Sequence, residues 1–306
     1  YWTKDWERSI DLGIHKLIDY DYYDIDHDDN YDLLIGTDKG TVLLYRYQWG
    51  TFINDSYATS KIFGDINGVS KSNLTLRMCD ILNNKPNKPG IELILGYYKD
   101  VQYNLRIFYL YNPAVLTYSF EYTYDVAEHE ITGKLYSLFH YSGVRSPVTF
   151  DVADVDGNGY KDIVLAFGGK LYMLWYLYGD ASGPVFMLDE KYFEDIPNLL
   201  KNKKPFKPQL VDFNNDGVYD LVISYLNKNG TTYFENIGTV DEPIWVQKRT
   251  LFANSLRSLN PVTNFAFNGY TLSEIEKIGD TYWLIANKRG TSTFILFNGE
   301  TDRIQT

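Results

Sequence analysis

Carboxylates and amides set at every second residue can converge on one point, and this chain repeats that arrangement. Asp24, Asp26, Asp28 and Asp32 stand in "DIDHDDNYDLLIG". Asp154, Asp156, Asn158 and Asp162 stand in "DVDGNGYKDIVLAFG", and Asp212, Asn214, Asp216 and Asp220 in "DFNNDGVYDLVIS". Each set fills positions 1, 3, 5 and 9 of its stretch, and apolar residues follow at once. In the first stretch Asp29 adds a fifth carboxylate, with no Lys or Arg among them. Like charges so placed repel unless a cation lies between them. Hard oxygen donors in this number suit Ca2+, which takes roughly 6–8 oxygens in flexible geometry, better than Mg2+ with its tight octahedron. The main-chain carbonyl at position 7, from Asn30, Tyr160 or Val218, would fill a gap. Position 6 is Gly159, Gly217 or Asp29, residue types that tolerate a left-handed backbone. The expectation is three bound calcium ions, structural in role because each loop uses all its own ligands.

An EF-hand opens in the same way but closes with a bidentate Glu at position 12. Here position 12 is Ile35, Leu165 or Ile223, and strand-like runs follow, which excludes it. A fourth, eroded copy is "DILNNKPNKPGIELILG", with Asp80 first, Asn84 at position 5 and Glu92 before "LILG". Its extra residues include prolines and Leu82 holds position 3, so weak or absent metal is expected there. A fifth unit, "DTYWLIANKRGTSTFILFNG" from Asp280, keeps the strand pattern without the acidic spacing.

These loops need elements to hold them. After each comes an apolar strand, a polar or glycine turn, and a second, aromatic-rich strand, as in "LLIGTDKGTVLLY" and "IVLAFGGKLYMLW". Loop starts at 24, 80, 154 and 212 are spaced by 56, 74 and 58 residues, room for four short strands per unit. Units of this size cannot bury both sheet faces alone and must stack or close in a ring. The expected fold is all-β: a single domain over 1–306, a β-propeller of about five four-stranded blades. It is either a closed ring or an arc completed by other chains. "WERSI" near the start is a candidate outer strand closing the last blade on "TFILFNGETDRIQT".

The pattern D-x-D/N-x-D/N-G-x-x-D followed by a strand resembles the FG-GAP (VCBS-type) repeat of integrin α-subunit propellers and many secreted proteins. "SPVTFDVADVDGNGYKDIVLAFGG" and "KPQLVDFNNDGVYDLVISYLNKNGTTYFENIG" carry the resemblance most closely. It implies a calcium-binding propeller, usually in surface proteins that bind other proteins or glycans, and it names no ligand.

The net charge of −11 argues against a nucleic-acid partner. Cys79 is alone, so no disulfide framework exists, and it reads as a small core residue. No apolar run is long enough to span a bilayer. Sequons at Asn54, Asn73 and Asn229, and a first residue other than Met, point to a trimmed, extracellular or cell-surface glycoprotein. The longest connections, about 58–72, 125–146 and 190–206, all fall on the face opposite the calcium loops. A protein or glycan partner is expected there, chiefly on Tyr136, Phe139, Tyr141 and Arg145, with core packing of Tyr136 and Phe139 as the alternative. No nucleophile elbow, zinc spacing or phosphate loop occurs, and the histidines show no paired spacing. The expectation is therefore an adhesion or recognition module and not an enzyme. The alternatives are a carbohydrate-active lyase or hydrolase and a structural subunit of a surface layer or filament.

Overall fold

The apolar run behind each acidic loop becomes the second strand of a four-stranded antiparallel sheet. The structure, a computed structural model, describes residues 3–9, 17–25, 28–56, 59, 74–81, 91–99, 102–111, 119–125, 139, 146–180, 183–196, 206–225, 231–248, 270–278, 281–288 and 293–300. The first strand, β1 (Thr3–Ser9), belongs to the last sheet. The first sheet runs β2 (Leu17–Tyr23), β3 (Asp32–Thr37), β4 (Val42–Gln48), β5 (Thr51–Asn54). The second runs β6 (Thr75–Cys79), β7 (Ile91–Lys99), β8 (Gln102–Tyr111), β9 (Ser119–Asp125). The third is β10 (Thr149–Ala153), β11 (Asp162–Phe167), β12 (Lys170–Asp180), β13 (Gly183–Asp189). The fourth is β14 (Phe206–Val211), β15 (Asp220–Tyr225), β16 (Thr231–Asn236), β17 (Trp245–Lys248). In the fifth, β18 (Tyr270–Ile278), β19 (Thr281–Lys288) and β20 (Thr293–Glu300) are completed by β1. Trp6 lies opposite Leu296, so the first strand does close the last sheet, as its sequence suggested.

The arrangement is propeller-like. The first strands of the sheets, β2, β6, β10, β14 and β18, lie side by side in that order, and β18 also approaches β2. Apolar side chains fill the spaces between sheets. Leu34, Val42 and Leu44 of the first sheet pack on Leu76, Met78, Leu93 and Leu95 of the second. Ile94 and Ile107 meet Phe150, Ile163 and Leu165 of the third, with buried Cys79 among them. Val164 and Met173 meet Leu210, Leu221 and Phe234 of the fourth. A strand covered on both faces needs apolar residues throughout and not an alternating pattern. That is why "DLLIGT" and "DIVLAF" are buried along their whole length.

An innermost strand has one edge unpaired within its own sheet, and its N–H groups need acceptors. Side chains of the neighbouring sheet supply them. Asp19 and Asp21 accept the N–H groups of Leu76 (3.0 Å) and Met78 (2.5 Å), and Asp151 accepts that of Leu210 (2.8 Å). The Thr149 hydroxyl donates to the Phe206 carbonyl. Two buried cations tie these acids together. Arg77 donates to Asp151 at 2.9 Å and lies 3.7 Å from Asp19, while Lys207 reaches Asp19 at 2.7 Å. Strands β14 and β2 are not neighbours in the order above, so the Lys207–Asp19 pair bridges across the middle of the arrangement.

Candidate metal centre

In each acidic loop the position 1 carboxylate folds the chain back on itself. Asp24 accepts N–H from Asp28 (3.0 Å) and Asp29 (3.1 Å). Asp154 accepts from Gly159 (3.0 Å), and Asp212 from Asp216 (3.2 Å) and Gly217 (3.0 Å). Position 5 then holds the N–H of position 7: Asp28 with Asn30, Asn158 with Tyr160, Asp216 with Val218. Position 6 is left-handed in all three, with φ of 65° at Asp29, 88° at Gly159 and 85° at Gly217. Asp29 thus does the work of the glycine it replaces, as its residue type allows.

Position 9 has a further duty that its spacing does not announce. Asp162 is fully buried, and its two oxygens accept N–H from Val155 (3.0 Å) and from Tyr176 on the third strand (2.9 Å). Asp220 does the same with Phe213 and Asn236, and Asp32 accepts from Tyr47. Glu92 of the eroded copy accepts from Ile81 at 2.8 Å. The closing acid pins loop to sheet even where the metal spacing has decayed. Burial pushes the Asp162 carboxyl up to about 6, opposed by the Tyr176 and Val155 N–H groups and reinforced by Asp156. Burial likewise raises Asp220 to about 7, against the pull of the Tyr233 hydroxyl and two N–H groups.

Carboxylate oxygens of Asp154, Asp156 and Asp162 lie within 4.8 Å of one another, the one such gathering of acidic ligands among the described residues. Asp154 Oδ1 is buried there without a hydrogen-bond partner. A buried acceptor left unpartnered is costly, and a cation would satisfy it. Oxygens that already accept an N–H retain a lone pair for a metal. The loop from Asp154 therefore fits calcium. The loop from Asp212 repeats the turn, with Asn214 donating to Asp216 (2.8 Å) as Asn158 does to Asp156 (2.9 Å), but there the Tyr233 hydroxyl also occupies Asp220 (2.6 Å). In the first loop Asp26 lies outside the described residues, as does Asn84 of the eroded copy.

Other expected site residues are scattered or outside the described residues. Tyr136, Tyr141 and Arg145, and the sequons at Asn73 and Asn229, lie outside them, while Asn54 is exposed at the end of β5. Phe139 is a correction: it is buried, its ring 5.0 Å from that of Phe167, so it packs in the core and offers no partner surface. The charged inner-strand residues were missed altogether. Their signal was present: five and three residues before each loop stand Asp19 and Asp21, Thr75 and Arg77, Thr149 and Asp151, Lys207 and Gln209. All are buried.

No protein-family model matches the chain, and no curated protein matches it. Solved structures do. One is reported under the GH130 family of mannoside phosphorylases, with glycoside hydrolases that target β-1,2 mannosidic linkages in Candida mannan. It is 11% identical with a TM-score of 0.42, covering 92% of this chain and 84% of that one. Another is a glycosyl hydrolase from Bacteroides ovatus, 10% identical with a TM-score of 0.41 and the same coverage. The expectation that the chain is not an enzyme is corrected to this extent: both matched structures are of glycoside-cleaving proteins, and the expectation is not carried further. Their likeness assigns no role to any residue here.

Proposed function

We propose that the chain is a calcium-stabilised five-bladed β-propeller of the FG-GAP (VCBS-type) kind that acts on carbohydrate outside the cell. The calcium part rests on one observation: three carboxylates gather at Asp154, Asp156 and Asp162 around a buried, unpartnered oxygen. Asp154, Asp156, Asn158 and Asp162, with the carbonyl of Tyr160, would hold the ion. Bound Ca2+ would supply charge neutralisation and a fixed loop shape, and no reaction step passes through it. Weak acidic loops suit calcium-rich surroundings, where extracellular modules bind at about 10⁻⁴–10⁻³ M. The carbohydrate part draws on the surface. Among the described residues, seven of the nine exposed large hydrophobic ones, Tyr31, Trp49, Tyr160, Leu177, Tyr178, Ile237 and Ile244, sit at the end of the sheets that carries the calcium loops.

Calcium titration by calorimetry and thermal melting tests the scaffold. Millimolar Ca2+ is expected to raise the melting temperature by several degrees, and Asp154→Ala to remove most of that rise. An unchanged melting temperature in excess EGTA would count decisively against the reading. Release of reducing ends from neutral polysaccharides tests the activity. Binding without release would leave recognition as the function.

A further inference from the structure

The hairpin between β4 and β5 turns at Trp49 and Gly50, both left-handed with φ of 52° and 81°. Two-residue turns of this kind favour Asn-Gly, because both residues need positive φ. A bulky aromatic there is an outlier. Trp49 is also 91% exposed, so its indole adds nothing to the core. The position thus carries backbone strain and an exposed apolar ring together, without benefit to folding. Strain held at a surface point is a reason to look for a ligand.

Tyr31 is the second clue. It follows the first acidic loop, is 61% exposed, and leans edge-on against Tyr22 with centroids 5.5 Å apart. Leu33 pairs with Tyr45, so extending that register sets Tyr31 level with Tyr47. The Tyr47 N–H donates to Asp32, which ties the hairpin to the loop, and the Tyr47 ring meets Phe52 at 5.2 Å. The two exposed aromatics therefore stand at one end of the same sheet, on a base braced by aromatic contacts. Next to Tyr31, at the same end, lies a loop with exposed Asp28, Asp29 and Asn30.

We propose that this end of the first sheet is a binding site for a neutral glycan, with Trp49 and Tyr31 as its stacking faces. The proposal rests on the carbohydrate reading above and locates it. Aromatic faces carry partial negative charge and attract polarised C–H groups such as those on one side of a pyranose ring. Exposed carboxylates and an amide accept hydrogen bonds from hydroxyls. A sugar offers both kinds of group. Phosphate, sulfate or uronate ligands would meet the repulsion of the acidic loop.

Affinity electrophoresis of the full chain in calcium, through gels holding β-mannan, xylan, β-glucan or starch, tests this, with polygalacturonate as the anionic control. At least one neutral polymer should retard the protein. Trp49→Asn should weaken that binding by about tenfold or more, yet raise the melting temperature by about 1–3 °C by restoring the preferred turn residue. Tyr31→Ala should weaken it as well. The calcium-induced rise in melting temperature should survive in both variants, so a failed glycan test is distinguishable from a failed calcium scaffold. No retardation by any neutral polymer, retardation by polygalacturonate alone, or full binding by Trp49→Asn would overturn the proposal.

Discussion

Asp21 sits near the end of β2 with its oxygens on the N–H groups of Tyr22 (2.9 Å) and Met78 (2.5 Å). Burial pushes its carboxyl up to about 6, against the pull of Arg77 and of those N–H groups. A carboxyl raised on folding binds its proton more tightly in the folded state. The stability it contributes is full below about 4 and is lost as pH rises through about 6. Asp21→Asn should therefore flatten the fall in unfolding free energy between pH 4 and 6 by on the order of 1–3 kcal/mol. Denaturant melts at several pH values measure it, and an unchanged slope would contradict the assignment. At Gly217 a Cβ would meet nothing within 4 Å, so only its φ of 85° resists substitution. Gly217→Ala should cost about 1 kcal/mol, read from the same melts. The loop residues were legible because a spacing of two is a local property. The pairing of Asp21 with Met78 was not, because its partner lies 57 residues away.

The strands were legible too, since apolar runs and turn residues recur after every loop. What sequence could not show is which side chains stitch neighbouring sheets. Lys207 and Asp19 are nearly fully buried and 188 residues apart. Lys207→Met leaves Asp19 without that cation in a low-dielectric interior, and about 3–5 kcal/mol of stability should be lost. Adding Asp19→Asn should recover part of it, and a double-mutant cycle by chemical denaturation checks the coupling. Close approach makes a second demand between sheets. A Cβ on Gly96 would stand 2.8 Å from the Val148 carbonyl oxygen, which is backbone and cannot swing aside. Gly96→Ala should therefore destabilise more than Gly217→Ala, although only the latter carries an unusual φ.

At the scale of the molecule, the number of units and the strand that completes the last sheet could be read from the repeat and from "WERSI". The glycan site proposed above could not, because exposure depends on which turns the sheets bring to a common end. The sequence reading looked to the longest connections, whereas Trp49 lies in a two-residue turn. Completion of the fifth sheet by β1 makes a further prediction. Removing residues 1–9 should leave β20 with an open edge, lower the melting temperature and promote concentration-dependent association. Light scattering and melting of the truncated chain would show this. A monomer of unchanged stability would refute it.

That same pairing has a consequence in time. On a ribosome β1 emerges first, but β20, its partner, follows only after nearly all the intervening chain. At roughly 5–20 residues per second the wait is on the order of tens of seconds. During it a strand-forming segment is exposed with nothing to pair, the condition that invites association between nascent chains. Its sequence, "TKDWERS", sets Lys4, Asp5, Glu7 and Arg8 around a single tryptophan. Charges of both signs keep such a segment soluble until the last sheet arrives to receive it.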